Sequence, residues 1–177
     1  MNLDLGSESV QFVAWKSQEK NWVIDGESCE ITKILLDPDS VKTGQGKLAE
    51  GQAPEWIWNE YPGQKVKLQE GFKKAFSCEI FISEKYGSPV SEYREWQSAQ
   101  RASREALMKA WPDIEKDKEN NKNKMVILGI EGSTPMQVGP AKINVPILKV
   151  EGWAKKPNGS EAPAPAPVEK KAIETEF

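Results

Sequence analysis

Phe72-Lys-Lys-Ala-Phe-Ser-Cys-Glu-Ile-Phe-Ile82 is the longest β-like run in the first half of the chain, and its reading decides the fold class. Aromatic and β-branched residues suit a pleated, half-buried surface. Phe72 and Phe76 lie four apart, so an extended backbone puts them on one face. Upstream, Gln11-Phe-Val-Ala-Trp-Lys16, Trp22-Val-Ile24 and Cys29-Glu-Ile-Thr-Lys-Ile-Leu-Leu36 are predicted strands, with Asp25-Gly26 as a tight turn. Lys65-Val-Lys-Leu68 is a further short strand. Downstream, two strands run over Met125–Ile130 and Lys142–Val150, and Gly132, Pro135, Gly139 and Pro140 break the stretch between them. Pro146 inside the second marks an edge or a bulge.

Between these strand regions the period changes. Over residues 91–111, Tyr93, Trp96, Ala99, Ser103, Ala106, Leu107 and Trp111 form a stripe near 3.6 residues per turn. This predicts a helix with Ser91 as N-cap and Pro112 as its stop. Asp113–Lys124 is almost wholly charged or amide, a solvated loop or a frayed helical extension. The fold class is therefore mostly β with one inserted helix. An OB-fold-like small barrel fits it, with a disordered C-terminal tail, and a β-sandwich is the alternative. Residues 1–10 are predicted as a flexible arm, 11–154 as the domain, and 155–177 as a Pro/Ala linker and acidic disordered tail.

Composition narrows the function. The 177 residues carry a net charge of −3, of which the 161–177 tail supplies −2, so the body is near neutral. A duplex binder of this size is usually basic. There is no histidine, which removes imidazole catalysis and His-ligated zinc. The two cysteines, Cys29 and Cys78, are too few for a four-cysteine zinc site and read as buried thiols in strands. No P-loop or G-x-G-x-x-G is present, and Asp37-Pro-Asp39 reads as turn chemistry. An enzyme is disfavoured, and no metal or cofactor is expected. No apolar stretch is long enough for a membrane helix and the N-terminus has no secretory pattern, so a cytoplasmic location is expected.

Seven tryptophans are the chief positive feature. Trp96, Trp111 and Trp153 read as core. Trp56 and Trp58 differ, because they sit in a Gly- and Pro-rich connection over residues 40–63. Spaced by two, they share a side of an extended segment and suit the stacking of unpaired bases. The competing reading is that they staple the loop to the barrel. Lys65, Lys67, Lys73 and Lys74 surround the Gly71 turn, and Arg94, Arg101 and Arg104 fall on one face of the predicted helix. Single-strand binders combine such cations with aromatics.

Three segments together resemble phage-encoded single-stranded DNA-binding proteins: Gln52-Ala-Pro-Glu-Trp-Ile-Trp58, Gly71-Phe-Lys-Lys-Ala-Phe76 and Val145-Pro-Ile-Leu-Lys-Val-Glu-Gly-Trp153. An Ala/Pro linker then leads to an acidic end with terminal phenylalanine. The chain lacks the aspartate run and Ile-Pro-Phe ending of the bacterial pattern. The resemblance implies an oligonucleotide-binding barrel that coats single strands in phage replication or recombination, in the host cytoplasm. It implies Trp56, Trp58, Phe72 and Phe76 as stacking residues and Lys73 and Lys74 as phosphate contacts, with barrel core as the competing role for the two phenylalanines. Glu174, Glu176 and Phe177 are expected to dock on replication or recombination proteins or to compete with DNA. The oligomeric state is open, a homodimer being one option. The alternatives are a phage protein-interaction module that inhibits a host enzyme, and a metal-dependent nuclease.

Overall fold

The computed structural model describes residues 12–49 and 51–157. The expectations for the N-terminal arm and for Glu174, Glu176 and Phe177 in the tail lie outside them. The described chain is mostly β with one inserted α-helix. Its strands are β1 (Phe12–Lys16), β2 (Asn21–Ile24), β3 (Glu27–Cys29), β4 (Lys33–Leu36), β5 (Lys42–Lys47), β6 (Glu55–Trp58), β7 (Lys73–Ile82) and β8 (Glu92–Ser98). Helix α1 (Arg101–Lys118) follows, then β9 (Lys124–Val138) and β10 (Ala141–Lys155). They form one sheet in the order β10-β9-β4-β7-β8-β1-β2-β3, with β5 and β6 branching from β7.

β7 is the spine. On one edge it pairs with β8, from Phe76 opposite Ser98 to Ile82 opposite Glu92. Its other edge is shared by two strands: Leu35 and Leu36 of β4 take Phe81 and Ile80, while β5 takes Lys73 to Ser77. The chain changes partner in a short 3-10 turn, Pro38–Ser40, capped by the Asp37 side chain. Glu79 spans the fork, accepting from the Asp37 N–H at 3.0 Å and donating its own N–H to Ser40 Oγ at 2.8 Å. From this point β4 leads into the body of the sheet and β5 into a projecting arm.

Both faces of the far half of β7 are covered. Phe76, Cys78, Ile80 and Ile82 enter the main core with Val13, Trp15, Trp22, Ile24, Trp96 and the helix. Phe81 enters a second cluster with Leu35, Met125, Ile127 and Ala154. Two-sided burial explains why this run is nearly continuously apolar.

Among the described residues the two ends of the sheet, β10 and β3, do not join through a strand ladder. Instead, the β1–β2 hairpin is reached by the distal half of the β9–β10 hairpin, which turns at Gly139 (φ 62°) and bends at a bulge between Ile130 and Ser133. Asn144 on that hairpin accepts from Trp15 Nε1 at 2.9 Å, donates its N–H to Ser17 Oγ at 2.7 Å, and donates its side-chain amide to Ser17 O at 2.8 Å. The sheet thus curls around the main core. Pro146 lies on β10, an edge strand, opposite Ser133 at the bulge, as its position in the sequence implied.

Several boundaries differ from expectation. Residues 92–98 are a strand, and the helix starts at Arg101 with Gln100 at its N-cap. The burial of β8 does alternate, but Arg94 occupies one of its two core-side positions, with Trp96 at the other. A cation in that slot disguised the strand period. Ser91 is no cap; its hydroxyl accepts the Glu84 N–H. Pro112 does not stop the helix, which runs six residues further to Lys118. Pro112 is exposed and Ile114, one half-turn on, is fully buried, so packing offsets the lost backbone bond. The run Cys29–Leu36 is split between β3 and β4, and Lys65–Leu68 joins no ladder. Residues 40–63, read as irregular, contain the β5–β6 hairpin. Cys78 is buried in β7 and Cys29 partly buried at the end of β3, both as free thiols.

Candidate nucleic-acid interface

The arm is built from an alternation the eye passes over. In Lys42-Thr-Gly-Gln-Gly-Lys47 every second residue, from Lys42, faces one side. Across the hairpin Gly44 pairs with Trp58 and Gly46 with Trp56. The two indoles use the missing side chains as a floor. A Cβ at Gly46 would overlap the Trp56 ring at Cζ3, and one at Gly44 would lie 2.9 Å from Trp58 Cε3. The indoles are parallel to within 4°, with ring centroids 5.6 Å apart, and both remain partly exposed.

Cations flank this pair. Lys42 Nζ lies 5.0 Å from the Trp58 ring centroid. Lys73, exposed at the start of β7, is the ladder partner of Gly46, so the row Trp56, Gly46, Lys73 crosses the arm. The same face ends on acids further along β7 and β8. Ser77 donates its hydroxyl to Glu95, the ladder partner of Glu79. Burial pushes the Glu79 carboxyl up, Asp37 and Glu95 add to the rise, and Lys156 opposes it. The face is thus basic at the arm and acidic toward the sheet centre.

The opposite face of the arm is organised differently. The Gln45 side chain acts as a strand substitute: its Nε2 donates to Lys67 O at 3.2 Å and its Oε1 accepts from Gln69 N at 2.8 Å. This holds Lys65 and Lys67, both exposed, in an extended segment without a ladder. Lys74, the partner of Gln45, is on this face too. Phe72 is partly buried, with Lys47 Nζ 6.0 Å from its ring centroid.

Two expected site residues are corrected. Phe76 is 4% exposed and packs edge-on against Trp96, so it belongs to the core. Arg94 does not share a helix face with Arg101 and Arg104: it lies in β8, buried, with Asp25 at 3.1 Å and Glu92 at 2.5 Å as carboxylate partners. Bidentate bonds from its two amino groups fix the Asp25 turn and hold the Asp25 carboxyl below its ordinary range. Arg101 is paired to Glu105 at 2.9 Å. Arg104 is partly buried, with burial and Arg101 lowering its pKa. The arm therefore unites Trp56, Trp58 and Lys73 on one face. Lys65, Lys67, Phe72 and Lys74 are near it but not on that face, and the arginines lie on other elements. Lys42, Gly44 and Gly46 were missed; a Gly-x-Gly run facing a Trp-x-Trp run was the available signal.

Among the described residues no three or more Cys, Asp or Glu side chains are grouped to hold a metal ion, and no helix is long and apolar enough to cross a membrane. Compared with protein-family models, with curated proteins and with solved structures, the chain matches none.

Proposed function

We propose that the chain binds single-stranded DNA without sequence preference, as a non-enzymatic protein of phage replication or recombination acting in the cytoplasm. The observation that carries this is the pair of parallel, partly exposed indoles seated on glycines between two lysines. Indole faces take any base, and lysines take phosphate without reading sequence. A near-neutral body is compatible with a narrow basic strip of this kind. The resemblance noted in the sequence supports the same reading and adds the acidic end, Glu174, Glu176 and Phe177, as a docking element for a replication partner.

The test is titration of intrinsic tryptophan emission with oligo-dT. Quenching is expected, and Trp56→Ala with Trp58→Ala should weaken binding by about 1–3 kcal/mol per stacked base. Lys42→Ala with Lys73→Ala should flatten the log–log salt slope by about 0.7 for each phosphate no longer neutralised. Unchanged affinity in a folded double tryptophan variant removes the assignment. A second reading, a protein-interaction module, is favoured by one observation: Leu48, Ile57, Tyr61, Val66 and Leu68, all exposed, cluster along the arm sequence. It predicts no response to oligo-dT.

A further inference from the structure

The face of the arm opposite the indoles carries a different chemistry. Its ladder row is Ile57, Gln45, Lys74, where the first face has Trp56, Gly46, Lys73. Gln45 is 2% exposed, buried beneath the segment it holds through Lys67 O and Gln69 N–H. In an extended segment the backbone groups of successive residues point to opposite edges. Those of Lys67 and Gln69 face Gln45, so those of Val66 and Leu68 face away. Among the described residues no hydrogen bond takes the N–H or C=O of Val66 or Leu68. Lys65-Val-Lys-Leu68 is thus a strand-like segment with one free edge, and its side chains alternate cation and aliphatic. All four are exposed, Val66 at 48% and Leu68 at 42%. Lys74 and Lys47, whose ammonium lies 6.0 Å from the Phe72 ring centroid, add charge to the same face. Glu55, the ladder partner of Lys47, and Glu70 are the acids next to them. Among the described residues none of these lysines and glutamates forms an ion pair.

We propose that this edge docks a short acidic segment of a partner protein, which adds as a strand along Val66–Leu68. Strand addition takes its affinity from main-chain hydrogen bonds and its specificity from alternate side chains. Residues directly opposite one another on paired strands share a face. The complement of Lys-Val-Lys-Leu is therefore a segment in which acidic and aliphatic residues alternate, with acids against Lys65 and Lys67 and aliphatics against Val66 and Leu68. A second copy of this segment is the wrong occupant, because pairing two of them sets lysine beside lysine. Nucleic acid fits less well, because the arm's indoles lie on the other face and Val66 and Leu68 offer no flat ring to a base. The proposal does not depend on the single-strand reading, since the two faces are separate.

The experiment uses the full chain and a fluorescently labelled synthetic peptide of alternating Glu and Val, read by anisotropy at neutral pH. Two comparison peptides carry the same Glu and Val in separate blocks, or Lys in place of every Glu. The alternating acidic peptide should bind roughly tenfold tighter than either. Lys65→Glu with Lys67→Glu should reverse the preference, losing the acidic peptide and gaining the Lys/Val one. Val66→Pro keeps the charges but removes one N–H from the edge, and should weaken the acidic peptide roughly tenfold. Thermal unfolding confirms that each variant keeps its fold. Equal binding of the alternating and blocked acidic peptides overturns the proposal, as does binding of neither, or wild-type affinity in both variants. If unlabelled oligo-dT displaces the peptide, and the charge reversal weakens oligo-dT as much as the Trp56 and Trp58 substitutions do, the face is a nucleic-acid track and the proposal falls. If wild type ignores oligo-dT but takes the alternating peptide, this inference stands and the single-strand reading fails alone.

Discussion

Two hairpins of this protein each carry a pair of tryptophans, and the pairs have opposite fates. Trp15 and Trp22 face one another across β1 and β2, at 3% and 1% exposure, edge-on with centroids 5.4 Å apart. Trp22 continues edge-on to Trp96 and Trp96 to Phe76, a chain of perpendicular contacts through the core. Trp56 and Trp58 share a strand and lie parallel over glycines. Edge-to-face contact suits rings enclosed on all sides, since each positive edge meets a negative face. Parallel rings on a glycine floor stack on one another, with Lys42 over Trp58, and stay partly exposed at the surface of the arm. The residue type is the same; what lies beneath and opposite decides whether the indole is enclosed in the core or stays at the surface.

The largest expected effect lies on the core side of this comparison. Trp96→Ala should cost about 3–5 kcal/mol of stability, because a fully buried indole leaves a cavity that its ring neighbours cannot fill. Denaturant unfolding of this variant against Trp58→Ala should show the contrast, with Trp58→Ala changing stability by less than half as much. Equal losses would mean the arm indoles are core residues after all.

A smaller effect sharpens the role of the floor. Gly46→Ala drives a methyl into the Trp56 ring, so the ring must leave its seat. Oligo-dT affinity should fall roughly tenfold, as for loss of one stacked base, while the fold is kept. Gly51→Ala is the control. Gly51 has φ 76° and nothing within 4 Å of its Cβ position, so that variant should lose about 1 kcal/mol of stability and no affinity.

The smallest effect sits where the arm meets the sheet. The folded pKa of Glu79 is raised, chiefly by burial, so ionisation destabilises the folded state. That cost is absent when the group is protonated in both states and grows as pH rises through the window from the unfolded value of about 4.3 to the raised folded one. Glu79 is exposed, so water screens much of this cost: Glu79→Gln should raise Tm by no more than about a degree at pH 7 and leave it unchanged below about pH 4. A gain that persists at low pH would point to packing rather than charge.

How much of this was legible depended on whether a signal was local. The β7 run, the Asp25-Gly26 turn and the significance of Pro146 follow from spacing and turn chemistry. β8 was not legible, because Arg94 is held in the core by two carboxylates, Glu92 on its own strand and Asp25, 69 residues away, and the second of these is no local signal. The β5 strand was hidden because its glycines have no side chains to show an alternation. Half of their meaning lies on β6, where the tryptophans are.

What the sequence by itself determined is the material: a mostly β chain with one helix, seven tryptophans, and cations near Trp56 and Trp58. The tertiary structure alone decided the allocation. It put Trp22, Trp96 and Phe76 inside, turned Arg94 inward, and gathered Trp56, Trp58, Lys42 and Lys73 on one face of the arm. The physical reason is the fork at Asp37–Ser40. Where β7 gives up β4 and takes β5, the second cover of the sheet ends, and side chains of the same kind pass from a closed core to an open platform.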